Sequence, residues 1–163
     1  VLERSPTRIV AEGESWGVPL RQRWTLELSG NSLRWDVDLE ALTPLRLERQ
    51  QANVMLSEAY GRFAGPGGAS GDLGWFRQAV SDDWEVIHCC PAGSGAIELA
   101  SATVRFPPVR MECRQSEAPE ELAVVNSDLT FRGRLLQCRR TEPSLLEPGT
   151  PRALFRGTIT VGR

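Results

Sequence analysis

Apolar and polar residues alternate with a period of two over residues 20–40, and this is the clearest pattern in the chain. Trp24, Leu26 and Leu28 alternate with Arg23, Thr25 and Glu27; Leu33, Trp35, Val37 and Leu39 alternate with Arg34, Asp36, Asp38 and Glu40. A half-buried β-strand has that period. The Gly30-Asn31 pair between the two runs suits a two-residue hairpin turn, because glycine tolerates positive φ. The turn then sets the register. Leu28 faces Leu33, Leu26 faces Trp35 and Trp24 faces Val37, while Glu27 meets Arg34, Arg23 meets Asp38 and Arg21 meets Glu40. A slip by one residue would turn the apolar set to solvent and the charges inward. The hairpin is therefore read as scaffold, with Trp24 and Trp35 in the core and ion pairs outside worth ~0.2–1 kcal/mol each.

The same reading predicts short strands over 7–14, 45–48, 52–57, 96–106, 109–115, 129–138 and 153–161, with apolar patterning resuming over 75–80 and 84–90. Trp84, Val86 and His88 are expected on one face, and Gly133 as a bulge. Residues 58–63 read as a helical turn or irregular crossing. Residues 65–74, 116–121 and 141–152 read as glycine-rich, acidic and proline-rich loops. No segment keeps helical periodicity over three turns. About ten strands without helices predict an all-β, antiparallel β-sandwich, with residues 1–163 as one domain.

Length and charge narrow the function classes. A chain of 163 residues can bury roughly 70% of its unfolded surface. The net charge of −2 offers no electrostatic footprint for nucleic acid. All 19 cationic residues are Arg, planar forks suited to carboxylates and aromatic faces. No apolar run spans a bilayer, so no membrane association is expected. The start at Val1 reads as processing or as a cut from a larger polypeptide. Cys89, Cys90, Cys113 and Cys138 do not make a disulfide framework, and free, mostly buried thiols predict a cytoplasmic protein.

Candidate chemistry is sparse. His88 and Cys90, with Cys113 and Cys138, lack the spacing of a zinc knuckle. Asp72, Asp82 and Asp83 lack the alternation of a calcium loop. The run GPGGASG has neither the Lys-Ser/Thr nor the helix of a phosphate loop. There is no Gly-x-Ser-x-Gly elbow. No metal site and no cofactor is predicted. The aromatic residues are more informative, because rings stack on the C–H faces of sugars while carboxylates, amides and Arg take the hydroxyls. Trp75 and Trp84, with Arg77, Asp82, Asp83 and Tyr60, form the candidate carbohydrate-binding set.

In chain order, LELSGNSLRWDVDLE, ANVMLSEAY, SDDWEVI and ATVRFPPVRMECRQSE resemble the pattern of the galactose-mutarotase-like β-supersandwich. That domain occurs at the C-terminus of bacterial and archaeal α-amylases and α-glucanotransferases. The likeness covers residues 21–117. It implies a domain that accompanies a catalytic domain and contacts carbohydrate or the neighbouring domain. True aldose mutarotases of this fold pair a histidine acid with a glutamate base. Here His88 is the single histidine, and no spacing selects Glu85, Glu98 or Glu112 as its partner.

Two functions are thus carried forward. The first is a noncatalytic, carbohydrate-associated module that binds glycan or supports an adjacent enzyme domain. The second is a protein-interaction or assembly module, including a homo-oligomer, using an exposed edge strand or the 141–152 loop.

Overall fold

The computed structural model describes residues 1–80, 84–114 and 120–162. In chain order the strands are β1 (Glu3–Arg4), β2 (Arg8–Glu14), β3 (Leu20–Ser29), β4 (Ser32–Ala41), β5 (Leu45–Leu47), β6 (Gln50–Leu56), β7 (Tyr60–Ala64), β8 (Ser70–Asp72), β9 (Glu85–Pro91), β10 (Ala96–Ser101), β11 (Val109–Cys113), β12 (Glu121–Asn126), β13 (Arg134–Arg140), β14 (Ser144–Leu146) and β15 (Arg152–Val161). The described residues contain no α-helix, only one 3-10 turn at Pro66–Gly68. No helix among them is long and apolar enough to cross a membrane.

Nine strands form a large antiparallel sheet in the order β1-β2-β3-β4-β15-β11-β10-β7-β8. A smaller sheet, β6-β13-β12-β9, packs on it, and β5 and β14 form a separate ribbon. The core lies between the two sheets. Leu99, Met111, Leu122, Val124 and Leu136 are fully buried there.

The β3–β4 hairpin has the register that its alternation predicts, from Leu28 opposite Leu33 to Arg21 opposite Glu40. Gly30 takes φ 57° and Asn31 does not turn positive, as in a hairpin turn whose first central residue must be glycine. Two details differ from expectation. Trp35 is 8% exposed but Trp24 is 38% exposed. Arg23 lies opposite Asp38, yet Asp38 pairs with Arg156 from β15.

Several stretches read as irregular prove to be strands. Residues 60–64 form β7 rather than a helical turn, and the glycine-rich stretch folds back to give β8. Glycine has a packing reason at Gly71: a Cβ there would stand 2.9 Å from the Phe63 ring, which covers its cross-strand partner. The proline-rich 141–152 stretch contains β14. Residues 129–133 are a turn, so Gly133 is not a bulge and β13 starts at Arg134. The small sheet has its bulge in β9 instead. Val124 pairs with His88 and Val125 with Val86, so Ile87 is the extra residue. The bulge puts Val86 and His88 on opposite faces of the small sheet, against the shared face expected from alternation.

Candidate functional site

The small sheet has an inner face in the core and an outer face that holds a cleft of about 680 Å³. Pairing along β6, β13, β12 and β9 arranges that outer face in rows. One row is Met55, Leu135, Val125 and Val86; the next is Asn53, Gln137, Ala123 and Cys89; the third is Gln51, Arg139, Glu121 and Pro91. The first row is apolar, and Trp84 packs on its buried members Val125 and Leu135. From the other two rows Gln51, Gln137 and Arg139 line the cleft as a polar floor, and Asn53 and Glu121 bond to them from beside it.

The floor is held by side-chain hydrogen bonds. Gln137 Nε2 donates to Gln51 Oε1 at 3.0 Å and to Asn53 Oδ1 at 2.9 Å. Those bonds occupy the carbonyl ends of Gln51 and Asn53 and turn their NH2 groups outward as donors. Arg139 donates through Nε (3.0 Å) and Nη2 (2.8 Å) to one oxygen of Glu121, leaving the other oxygen as an acceptor.

The wall comes from two loops. Trp84 meets Phe131 edge to face, with ring centroids 6.0 Å apart. Phe131 is 62% exposed. It is held by Asp128, whose Oδ1 accepts from the Thr130 and Phe131 amides at 2.8 and 2.9 Å. Arg132, at φ 48°, turns the chain back toward β13. Behind this wall, Arg134 donates to Gly74 O (2.8 Å) and Asn126 Oδ1 (2.5 Å), with its guanidinium 4.1 Å from the Phe76 ring centre. Burial lowers the Arg134 pKa. This network docks residues 73–76 onto the end of the sandwich.

The structure separates the aromatic set expected from the sequence. Trp84 lines the cleft. Trp75 is 60% exposed, but it stands outside the lining and carries Arg132 at 4.8 Å over its ring. Arg77 is exposed and also outside the lining. Tyr60 is placed elsewhere altogether. It is buried between the sheets beside Phe106, and its hydroxyl donates to Pro107 O at 2.9 Å. Asp82 and Asp83 lie outside the described residues. The polar floor of Gln51, Gln137 and Arg139 had no local sequence signal.

His88 does not reach the cleft. It points into the sandwich and stacks on Phe63, with centroids 5.0 Å apart and planes 21° apart. Its Nε2 is buried without a partner among the described residues. Glu98 and Glu112 alternate with the fully buried Ile97, Leu99, Met111 and Cys113, so they project from the far face of the large sheet. Glu85 accepts from Asn126 at 3.2 Å. The described cleft lining has one carboxylate, Asp128, and no histidine.

All four cysteines are free. Cys89 is on the exposed outer face, and Cys113 and Cys138 are buried. The Cys113 thiol bonds to Cys138 across the sandwich; that contact, then burial, holds it well above the ordinary thiol range. No group of three or more metal-binding side chains occurs among the described residues.

No protein-family model and no curated protein sequence matches this chain. Solved structures do. A galactose mutarotase related enzyme from Lactobacillus acidophilus aligns with a TM-score of 0.56 at 8% identity, over 99% of this chain and 70% of its own. A putative aldose 1-epimerase from Escherichia coli K12 aligns with a TM-score of 0.52 at 12% identity, over 98% of this chain and 67% of its own. The fold of this chain is therefore galactose-mutarotase-like, an all-β antiparallel sandwich.

Proposed function

We propose that this chain is a noncatalytic, carbohydrate-associated module that binds glycan in the cleft on the outer face of the small sheet. One observation carries the reading: Gln51, Gln137 and Arg139 line the cleft side by side, and Gln137 holds the Gln51 carbonyl so that its NH2 stands as a donor beside the Arg139 guanidinium. Sugar hydroxyls each donate and accept, so vicinal pairs fit a floor that sets amide groups beside a guanidinium. The Trp84–Phe131 wall supplies the half-wet aromatic surface that a pyranose C–H face requires. Acid–base catalysis draws no support from this cleft, since its described carboxylate is committed to backbone amides and His88 faces inward.

A glycan array followed by calorimetric titration tests the proposal. A binding glycan is expected to lose affinity about tenfold with Gln51→Ala, the equivalent of ~1.4 kcal/mol. Phe131→Ala should weaken it comparably, with the thermal transition preserved. No binding to any glycan, or binding indifferent to both substitutions, overturns the proposal.

A further inference from the structure

The two sheets are unequal, and the mismatch leaves part of the large sheet uncovered. The edge strand β6 of the small sheet packs over β15, while β4, β3, β2 and β1 continue beyond it. Exposure on their inner face rises outward, from 1% at Val37 on β4 to 38% at Trp24 and 49% at Leu28 on β3. Ile9 and Leu26, paired across β2 and β3, share this face, and a groove of about 350 Å³ runs past Ala11, Gln22 and Trp24. The opposite face of the same strands is a lattice of ion pairs, including Arg8–Glu27 at 3.0 Å and Arg21–Glu40 at 3.3 Å. An apolar shelf therefore lies beside the free edge of β6.

That edge differs from the other three. β1 has two residues, β8 has three with Gly71 in the middle, and β9 is bulged and ends at Pro91. Short length, glycine, a bulge and proline are the ordinary protections of a sheet edge. β6, QQANVML, has none of them, and among the described residues the β5–β14 ribbon reaches only its first residue, where Gln50 donates to Ser144. It keeps an unbroken seven-residue register with β13 and carries no charge. Among the described residues, the backbone of residues 50–56 makes no hydrogen bond outside that ladder.

We propose that β6 and the adjoining shelf receive an extended, uncharged segment of another polypeptide, with apolar side chains at alternate positions. The free amides and carbonyls of β6 require a strand as occupant. A strand added there sits roughly 4.8 Å from β6 and about 10 Å above β4 and β3, so alternate side chains descend onto Trp24 and Leu26. Charge sets the composition: β6 and the shelf residues Ile9, Ala11, Gln22, Trp24, Leu26 and Leu28 bear no formal charge, and the nearest charges stand at the far side of the shelf, Arg4 opposite Ile9 on β1 and Glu12 and Glu14 beside the groove. A second copy of this chain paired through β6 would appear as a dimer in light scattering without peptide, and that result would overturn the proposal. The two sites share β6, whose outer-face Gln51 lines the glycan cleft while its backbone edge and the inner-face shelf form this site; the shelf variants at Trp24 and Leu28 touch only the second, so either proposal can fail without the other.

The probe is a fluorescein-labelled peptide of about ten residues alternating Ile and Thr, titrated by anisotropy against the whole chain. Saturating peptide is expected to slow amide exchange in residues 50–56 about tenfold, with little change in β1, β8 or β9. Leu28→Lys and Trp24→Glu are each expected to weaken binding about tenfold or more. Leu28 is exposed, so its variant keeps the fold, which a thermal melt confirms. The same peptide with Pro at alternate positions should not bind. Unchanged exchange at β6, or equal binding by wild type and Leu28→Lys, overturns the proposal.

Discussion

Trp24 and Trp35 lie on adjacent strands with ring centroids 5.3 Å apart, yet one is half in solvent and the other is core. The small sheet stops between them. Trp35 also packs on Phe155 at 4.7 Å, which ties β4 to β15. Trp35→Ala is therefore expected to cost about 3–5 kcal/mol, the range for truncating a buried large aromatic residue. Trp24→Ala should cost less than half of that. Urea denaturation of the two variants checks the order, and equal losses would mean that the shelf is covered in the isolated chain.

Gly157 sits opposite Trp35 and beneath the Phe155 ring. A Cβ there would run into that ring and stand 2.8 Å from the backbone oxygen of Glu112. Gly157→Ala is expected to destabilise by about 1–3 kcal/mol through overpacking. Adding Phe155→Leu should recover only part of the loss, because the Glu112 carbonyl cannot move aside. Full recovery in the double variant would remove the backbone contact from the explanation.

Arg140 and Glu120 form an ion pair at 2.7 Å with both side chains buried. Glu120→Leu removes a charged partner from a buried guanidinium and should cost about 3–5 kcal/mol. Replacing both with apolar residues of similar volume should restore most of it. A double-mutant cycle with no coupling would contradict this account.

Arg134 pins residues 73–76 through Gly74 and Phe76. Arg134→Met leaves the Gly74 carbonyl and Asn126 without this donor, a loss of about 1–3 kcal/mol. The local readout is amide exchange, which should accelerate over residues 73–80 more than in β10 or β11. Uniform acceleration would point to global loosening.

Alkaline pH should expose the buried Tyr60. Burial holds its phenol above the ordinary value of 10.0. The folded state thus favours the neutral form more than the unfolded state does. Its contribution is complete below the ordinary value and is lost as pH rises through the folded one. Cys113, also raised, acts in the same direction. Tyr60→Phe is expected to lower stability at pH 7 by about 1 kcal/mol, for the lost bond to Pro107. It should also flatten the fall in stability above about pH 10. Parallel wild-type and Tyr60→Phe pH profiles would show that the phenol does not contribute.

Strands were legible where one face met the core and the other met water. In β3 and β4 both faces agree on one register, so local pattern alone placed Leu26 opposite Trp35. β12 escaped the same reading. Its core, LAVVN, is a continuous buried run with the sandwich interior on one side and Trp84 on the other, which erases the alternation. β8 escaped because glycine argues for a loop, while the true constraint was the Phe63 ring lying over Gly71.

The sequence alone decided the all-β class, the β3–β4 register and the charged outer face of the hairpin, because these follow from neighbours along one or two strands. It could not decide the cleft or the shelf. Gln137 meets Gln51 and Asn53 across 86 and 84 residues of chain, through β13–β6 pairing that no local pattern encodes. Trp24 and Trp35 occupy equivalent places in the same alternation, and the width of the small sheet alone makes one core and the other surface. Period two tells which face a side chain takes; only the packing of the second layer tells whether that face is covered.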